Sequence, residues 1–210
     1  MSRKASILRE TQHAATAEAM LDAAQRTLLR RGYPRATMQH LAAEAGCAAG
    51  TFYLYFQSKQ GLFEALVARH VRGMHAAARE AMAGVRGPLE KVRQSVASIL
   101  GYWQGNRPFL RLVLAVWPER RRAMRERLLA MGLKDQTDFR QSILGLLRQA
   151  RRQGLVRRDL PAETLMDFLD AVGFSLVEVF SQSPGRQSVE EQARIFWGLV
   201  AGGILHQEPP

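Results

Sequence analysis

One cysteine, Cys47, stands among 210 residues. An intrachain disulfide framework is therefore excluded, and nothing calls for an oxidising compartment. Long hydrophobic runs are missing as well. The longest uncharged apolar stretch, Ile195–Leu205, has eleven residues. That is too short to cross ~30 Å of hydrocarbon and reads as a buried helix. The basic start, MSRKASILRE, lacks the apolar segment of a secretory signal. The expected location is the cytoplasm, with no membrane partner. Chemistry-bearing motifs are also scarce. His13, His40, His70, His75 and His206 are scattered, without an HExxH motif or an i, i+4 pair for zinc. GxSxG, a phosphate-cradling glycine loop and paired carboxylates in context are absent. These absences argue against an enzyme and leave neither metal nor cofactor to expect.

Apolar residues make up 47% of the chain, enough to fold. The net charge is +11 and the pI about 10.9. Such a balance favours an anionic partner: nucleic acid, a membrane surface or an acidic ligand. The charge does not locate a face. Residues 1–75 hold ten Lys/Arg against five Asp/Glu, and residues 76–210 hold twenty against fourteen.

The chain punctuates itself into helices, about nine to ten, and shows almost no strand signal. Residues 16–31 carry Met20, Ala23, Ala24, Thr27, Leu28 and Leu29 at helical spacing, closed by Gly32. Thr37 suits the N-cap of a second helix ending at Gly46. A third, short helix runs from about Ala48 to Tyr55, and Ser58 caps a long fourth. Gly84 and the Gly87-Pro88 pair read as punctuation at the domain boundary. Further helices are expected over 88–104, 108–116, 135–153 and 161–182, with a last one opened by the Ser188–Glu191 capping box. The fold class is all-α: an N-terminal three-helix domain over residues 14–74, and a helical domain over 75–210.

The stretch TMQHLAAEAGCAAGTFYLYFQSK, residues 37–59, has the layout of a helix-turn-helix DNA reader. Phe52, Tyr55 and Phe56, at i, i+3 and i+4, point inward. Ala49, Gly50, Thr51, Tyr53 and Leu54 then face outward, where a short helix meets base edges with its N-terminal residues. Thr37 and the open N–H groups of the second helix suit a phosphate. Gln39 is placed to reach a base, and Lys59 to offer charge to the backbone. Arg3, Lys4 and Arg9 either add phosphate contacts or form a solvated tail.

Residues 16–59 resemble the DNA-binding domain of the tetracycline-repressor (TetR) family. The likeness rests on Gly32-Tyr33, Thr37, Leu41-Ala42, Ala45-Gly46, and the run Gly50-Thr51-Phe52-Tyr53-x-Tyr55-Phe56-x-Ser58-Lys59. It implies an obligate homodimer on a double-stranded operator, a small-molecule effector site in the C-terminal helices, and repression relieved by that effector. Three positions depart from the family pattern. Ala48 and Ala49 replace a Ser and a polar residue, and Leu54 replaces a common His. The reader thus offers few donors to bases. Thymine-methyl contacts from Ala49 and Leu54, help from Gln39 or Thr51, and DNA shape are expected instead.

Dimerisation is expected through the last two helices. Phe168, Leu169, Val172, Leu176, Val177 and Phe180 line one, and Val189, Ala193, Phe196, Val200 and Ile204 the other. Gly198 and Gly202 lie one turn apart and allow close approach. The alternative is that all belong to the monomer core. Trp103, Phe109, Trp117, Phe139 and Phe168 are candidates to line an effector cavity, with core packing as the plainer reading. Glu119–Arg127 holds five arginines in nine residues, a solvated surface or an anion contact. His40 and Glu44, one turn apart, read as a weak surface pair. The rival functions are an all-α enzyme, a non-specific nucleoid-type DNA binder and a membrane-surface binder.

Overall fold

The computed structural model describes residues 3–117, 134–182 and 188–204. They form the helices α1 (Arg3–Arg31), α2 (Met38–Glu44), α3 (Ala49–Phe56), α4 (Lys59–Met82), α5 (Pro88–Gly105), α6 (Arg107–Val116), α7 (Lys134–Arg152), α8 (Ala162–Gln182) and α9 (Val189–Ile204). The all-α expectation holds among the described residues. The chain divides into two compact units, Met1–Arg69 and His70–Pro210, and the division falls inside α4. The arginine-rich segment 119–127 and the 183–187 connection lie outside the described residues.

The first unit is built on apolar stripes at helical spacing. Met20, Leu21, Ala24 and Leu28 of α1 are buried, as are Leu41 of α2, Phe52 of α3, and Leu62, Phe63 and Leu66 of α4. Burying a side chain of this size contributes about 1.5–3 kcal/mol. Thr27 lies in the same stripe with its hydroxyl buried and unpaired. Ion pairs tie the helices outside the core. Arg26 and Arg30 of α1 reach Glu44 of α2, at 3.4 and 2.6 Å. Arg69 of α4 meets Asp22 of α1 at 2.7 Å, and also Glu18 and Gln25. The Arg30 hydrogen bond holds the Glu44 carboxyl below its usual value. Glu44 is thus engaged with α1, which replaces the expected pair with His40.

α1 begins thirteen residues before the expected Thr16, at Arg3. Residues 3–15 carry no apolar stripe, so periodicity could not find them. What extends the helix toward α3 is the His13 ring, stacked on Tyr55 at 4.4 Å and 19°.

The second unit has its own core. Phe139, Ile143 and Leu147 of α7 pack with Val92 and Leu100 of α5, Leu165 and Leu169 of α8, and Phe196 and Val200 of α9. Two buried histidines interrupt this apolar packing. His70 lies 3.0 Å from the Tyr102 hydroxyl and stacks on Phe109 at 4.0 Å. His75 stacks on Phe139 at 4.3 Å and lies 2.7 Å from the Asp135 carboxylate, which Arg79 also grips.

Candidate nucleic-acid interface

The turn between α2 and α3 is a Schellman closure. The Gly46 N–H donates to the Ala43 carbonyl and the Cys47 N–H to the Ala42 carbonyl, both at 3.1 Å. It requires Gly46 at φ +69°, a backbone region that a side chain disfavours. This turn fixes the angle at which α3 leaves α2.

Each helix start is set by its cap. Thr37 is extended, and its hydroxyl oxygen accepts from the His40 N–H at 3.2 Å. The His40 ring nitrogen Nδ1 accepts in turn from the Thr37 N–H at 3.4 Å. Histidine here does what Glu or Gln does in the usual capping box. The cap uses the Thr37 oxygen as an acceptor, so its O–H remains to be donated outward. Ala48 caps α3 without any side-chain bond. The first N–H groups of α3 are therefore left to solvent or to a ligand.

The inner face of α3 is Phe52 and Phe56, both buried, with ring centroids 5.2 Å apart. Tyr55 is half-buried under His13. The outer face is as expected at four positions. Gly50, Thr51, Tyr53 and Leu54 are exposed, Leu54 to 84% and Tyr53 to 44%. Ala49 is only half-buried rather than fully outward, because it sits at the first turn, close to the α2–α3 connection. Thr37 and Gln39 of α2 are exposed too. From Ala36 to Ser58 the chain holds no Lys or Arg.

Lys59 is placed differently from the expectation. Its ammonium donates to the Tyr33 and Ala36 carbonyls at 2.9 and 3.0 Å and lies 4.4 Å from the Tyr33 ring centre. Burial, and then the Glu64 charge, push the Tyr33 phenol above its usual value, so it stays neutral under that cation. Lys59 thus holds the 33–36 loop that delivers Thr37. No local pattern signals this, since its partners lie 26 and 23 residues away.

The α3–α4 corner carries strain. Gln57 sits at φ +55°, ψ −38°, and the Ser58 N–H donates to the Phe56 carbonyl at 2.5 Å. This is a γ-turn of the rare positive-φ kind. Ser58 then caps α4 by accepting from the Gly61 N–H at 3.0 Å. A Cβ at Gly61 would stand 2.7 Å from the Phe56 carbonyl oxygen.

In the second unit, a crevice is lined by Leu100, Trp103, Gln104, Arg107, Leu110, Val177, Phe180, Ser181 and Gln192. A water-sized sphere finds only about 10 Å³ inside it, room for roughly one water. Of the five expected lining residues, Trp103 is among these. Phe109, Trp117 and Phe139 are buried in the core, and Phe168 is 38% exposed on α8. Arg107 and Arg111 donate to the Phe180 and Ser181 carbonyls, satisfying the last turn of α8.

The expected dimer face needs correction. Leu169, Phe196 and Val200 are buried inside the unit's own core. Val172, Leu176 and Val177 pack partly buried against it, and Phe180 is half-buried at the crevice. The Ile204 side chain lies outside the described residues. Of the expected positions Phe168 is exposed on α8, and the other exposed apolar positions are Val179, eleven residues further on, and Leu199 beside Gly198 and Gly202 on α9. Both helices are apolar over most of their circumference, so periodicity alone could not choose the outward side.

Comparison with known proteins follows the same division. Residues 20–66 match the family described as "Bacterial regulatory proteins, tetR family". The HTH-type transcriptional regulator YvkB of Bacillus subtilis is 38% identical over 55 residues, 26% of this chain and 29% of that protein. The chain thus aligns with only about a third of the length of the curated relatives it matches. In fold, the fatty acid degradation regulator FadR of Bacillus halodurans superposes with a TM-score of 0.73 at 18% identity, over 91% of this chain and 97% of that one. The Thermus thermophilus FadR, solved in complex with lauroyl-CoA, gives 0.65 at 21% identity, over 92% and 97%. Residues 20–66, which hold the helix-turn-helix, thus match the DNA-binding segment of bacterial tetR-family regulatory proteins, and the chain shares the fold of these solved regulators along nearly its whole length.

Proposed function

We propose that the chain is a ligand-responsive transcriptional repressor, acting from the cytoplasm as a homodimer on a palindromic operator and released by a small-molecule effector. The observation that carries this reading is the outer face of α2 and α3. It exposes Thr37, Gln39, Gly50, Thr51, Tyr53 and Leu54 on a base locked by Phe52 and Phe56. Packing does not require a tyrosine and a leucine to face water there. A groove about 12 Å wide accepts such a helix.

Two readers in fixed register require two chains. The exposed Phe168, Val179 and Leu199 of α8 and α9 support a face where a second copy packs its own α8 and α9. The effector enters unit 2 at the crevice, parting Trp103 from Phe180. Its lining favours an apolar body with a small polar group. The Thermus FadR complex with lauroyl-CoA supports a ligand-responsive role for this fold. Release requires an effector that binds the DNA-free state more tightly; equal affinity for both states shifts nothing. The regulators among its relatives support a role other than catalysis.

Native mass spectrometry of the freshly purified protein, alone and with a palindromic duplex, tests this reading. Two chains per duplex, and a retained small molecule whose addition frees the DNA, are expected. A monomer that ignores DNA would overturn it.

A further inference from the structure

We infer that this reader recognises its half-site through thymine methyl groups, with no guanine contact from a cationic side chain of α2 or α3. The inference rests on the DNA-binding role proposed above and specifies what that face reads. The commonest specific contact in a major groove is Arg or Lys on guanine O6 and N7. Here that contact has no source on either helix, because residues 36–58 contain neither residue. The first cation beyond α3, Lys59, is turned away, its ammonium bonded to the Tyr33 and Ala36 carbonyls. Arg26, Arg30 and Arg69 of the same unit are held by Glu44, or by Glu18 and Asp22.

What α3 offers is apolar. Leu54 is 84% exposed, far more than a leucine needs to complete this core. Ala48, Ala49 and Gly50 form a bare N-terminal turn with no side-chain cap and no heavy atom within 4 Å of a Cβ at Gly50. A helix start so stripped lets the backbone approach closely and leaves Leu54 as the longest apolar reach. The base edge it complements is the thymine C5 methyl, the one apolar group in the major groove. Gln39 is exposed on α2 and carries the amide that pairs bidentately with adenine N6 and N7. The half-site is therefore rich in A·T pairs where α2 and α3 face it. Burying one methyl is worth roughly a fourfold change in affinity.

The test has two steps. The full-length protein first selects duplexes from a random library, and the enriched site is then remade with deoxyuridine at each thymine in turn. Deoxyuridine keeps the pairing and removes only the methyl. A roughly fourfold loss of affinity is expected at one or more thymines per half-site. At such a position, cytosine is expected to bind better when replaced by 5-methylcytosine. Leu54→Ala, a change at the surface, is expected to erase the thymine-over-uracil preference at its own position while thermal stability stays as in the wild type. An enriched site indifferent to deoxyuridine, or one dominated by guanines whose preference persists at the α3 contacts, would overturn the inference and leave DNA binding standing. No enrichment above the random library would overturn the DNA-reader assignment itself, and the inference with it.

Discussion

The ammonium of Lys59 lies 2.9 Å from the Tyr33 carbonyl oxygen and 4.4 Å from the centre of the Tyr33 ring. A residue that invites assignment to a DNA phosphate is thereby the clasp of a loop. Lys59→Met removes the donor while keeping much of the stem. The expected cost is about 1.5–3 kcal/mol of stability, the range for hydrogen bonds to a charged group. DNA affinity should fall in step, because the 33–36 loop sets Thr37. Chemical denaturation checks the first effect. A stability unchanged from the wild type would show that the clasp is idle.

The α3–α4 corner predicts two changes of opposite sign. Gln57→Gly relieves a positive φ and should stabilise the protein by about 1 kcal/mol. Gly61→Ala puts a methyl 2.7 Å from the Phe56 carbonyl and should destabilise it by about 1–3 kcal/mol. Paired thermal melts distinguish them, and melts that move in the same direction would contradict the geometry.

Thr27 offers a cleaner case in the core. Its hydroxyl is buried without a partner. Thr27→Val keeps the branched shape and removes the unpaired group. A gain of about 1 kcal/mol is expected in urea unfolding. A loss would mean that the hydroxyl is satisfied in solution.

Stability should also depend on pH through His75. Burial pushes its imidazole below the usual value, outweighing the hydrogen bond and charge of Asp135 that work to raise it. Burial works to raise the Asp135 carboxyl, yet the hydrogen bonds from His75 and Arg79, with their charges, hold it below its usual value. Both groups bind protons more readily in the unfolded chain than in the folded one. The His75 contribution is therefore full above the ordinary imidazole value, ~6.5, and is lost as pH falls below it. That of Asp135 is full above the ordinary carboxylate value and declines in stronger acid. The melting temperature should drop between pH 7.5 and 5.5, and the drop should be smaller in His75→Gln. Equal slopes in the two proteins would remove His75 from the account.

The exposed line on α8 and α9 makes a further prediction. Leu199 is 60% exposed. Leu199→Glu should weaken the proposed dimer by about 2 kcal/mol, some thirtyfold in dissociation constant, while leaving the monomer folded. Phe196→Ala, inside the core, should instead destabilise the fold by about 3–5 kcal/mol. Sedimentation equilibrium with circular dichroism separates the two outcomes. A dimer indifferent to Leu199→Glu would move the interface elsewhere.

What the sequence made legible follows from what is local. Thr37 as a cap, Gly46 as a turn, and Phe52 and Phe56 as the inner face of α3 are short-range patterns, and the structure shows each of them. Residues 3–15 have no apolar stripe, so periodicity does not reveal their helix. His13 meets its partner Tyr55 only in three dimensions, as Lys59 meets Tyr33. On α8 and α9, apolar residues on nearly every side hide which face looks outward. For that reason spacing alone does not assign Leu169, Phe196 and Val200 to the core that they fill.

The central claim is that the α2–α3 face grips duplex DNA. Fluorescence anisotropy with a short labelled duplex carrying a selected site, repeated from 50 to 300 mM salt, tests it most directly. Tight binding is expected at low salt, with a log–log slope of about −5 or steeper, as six or more phosphate contacts give. Tyr53→Ala should weaken binding without altering the fold. Binding that is absent at low salt, or that neither salt nor Tyr53→Ala changes, would contradict it.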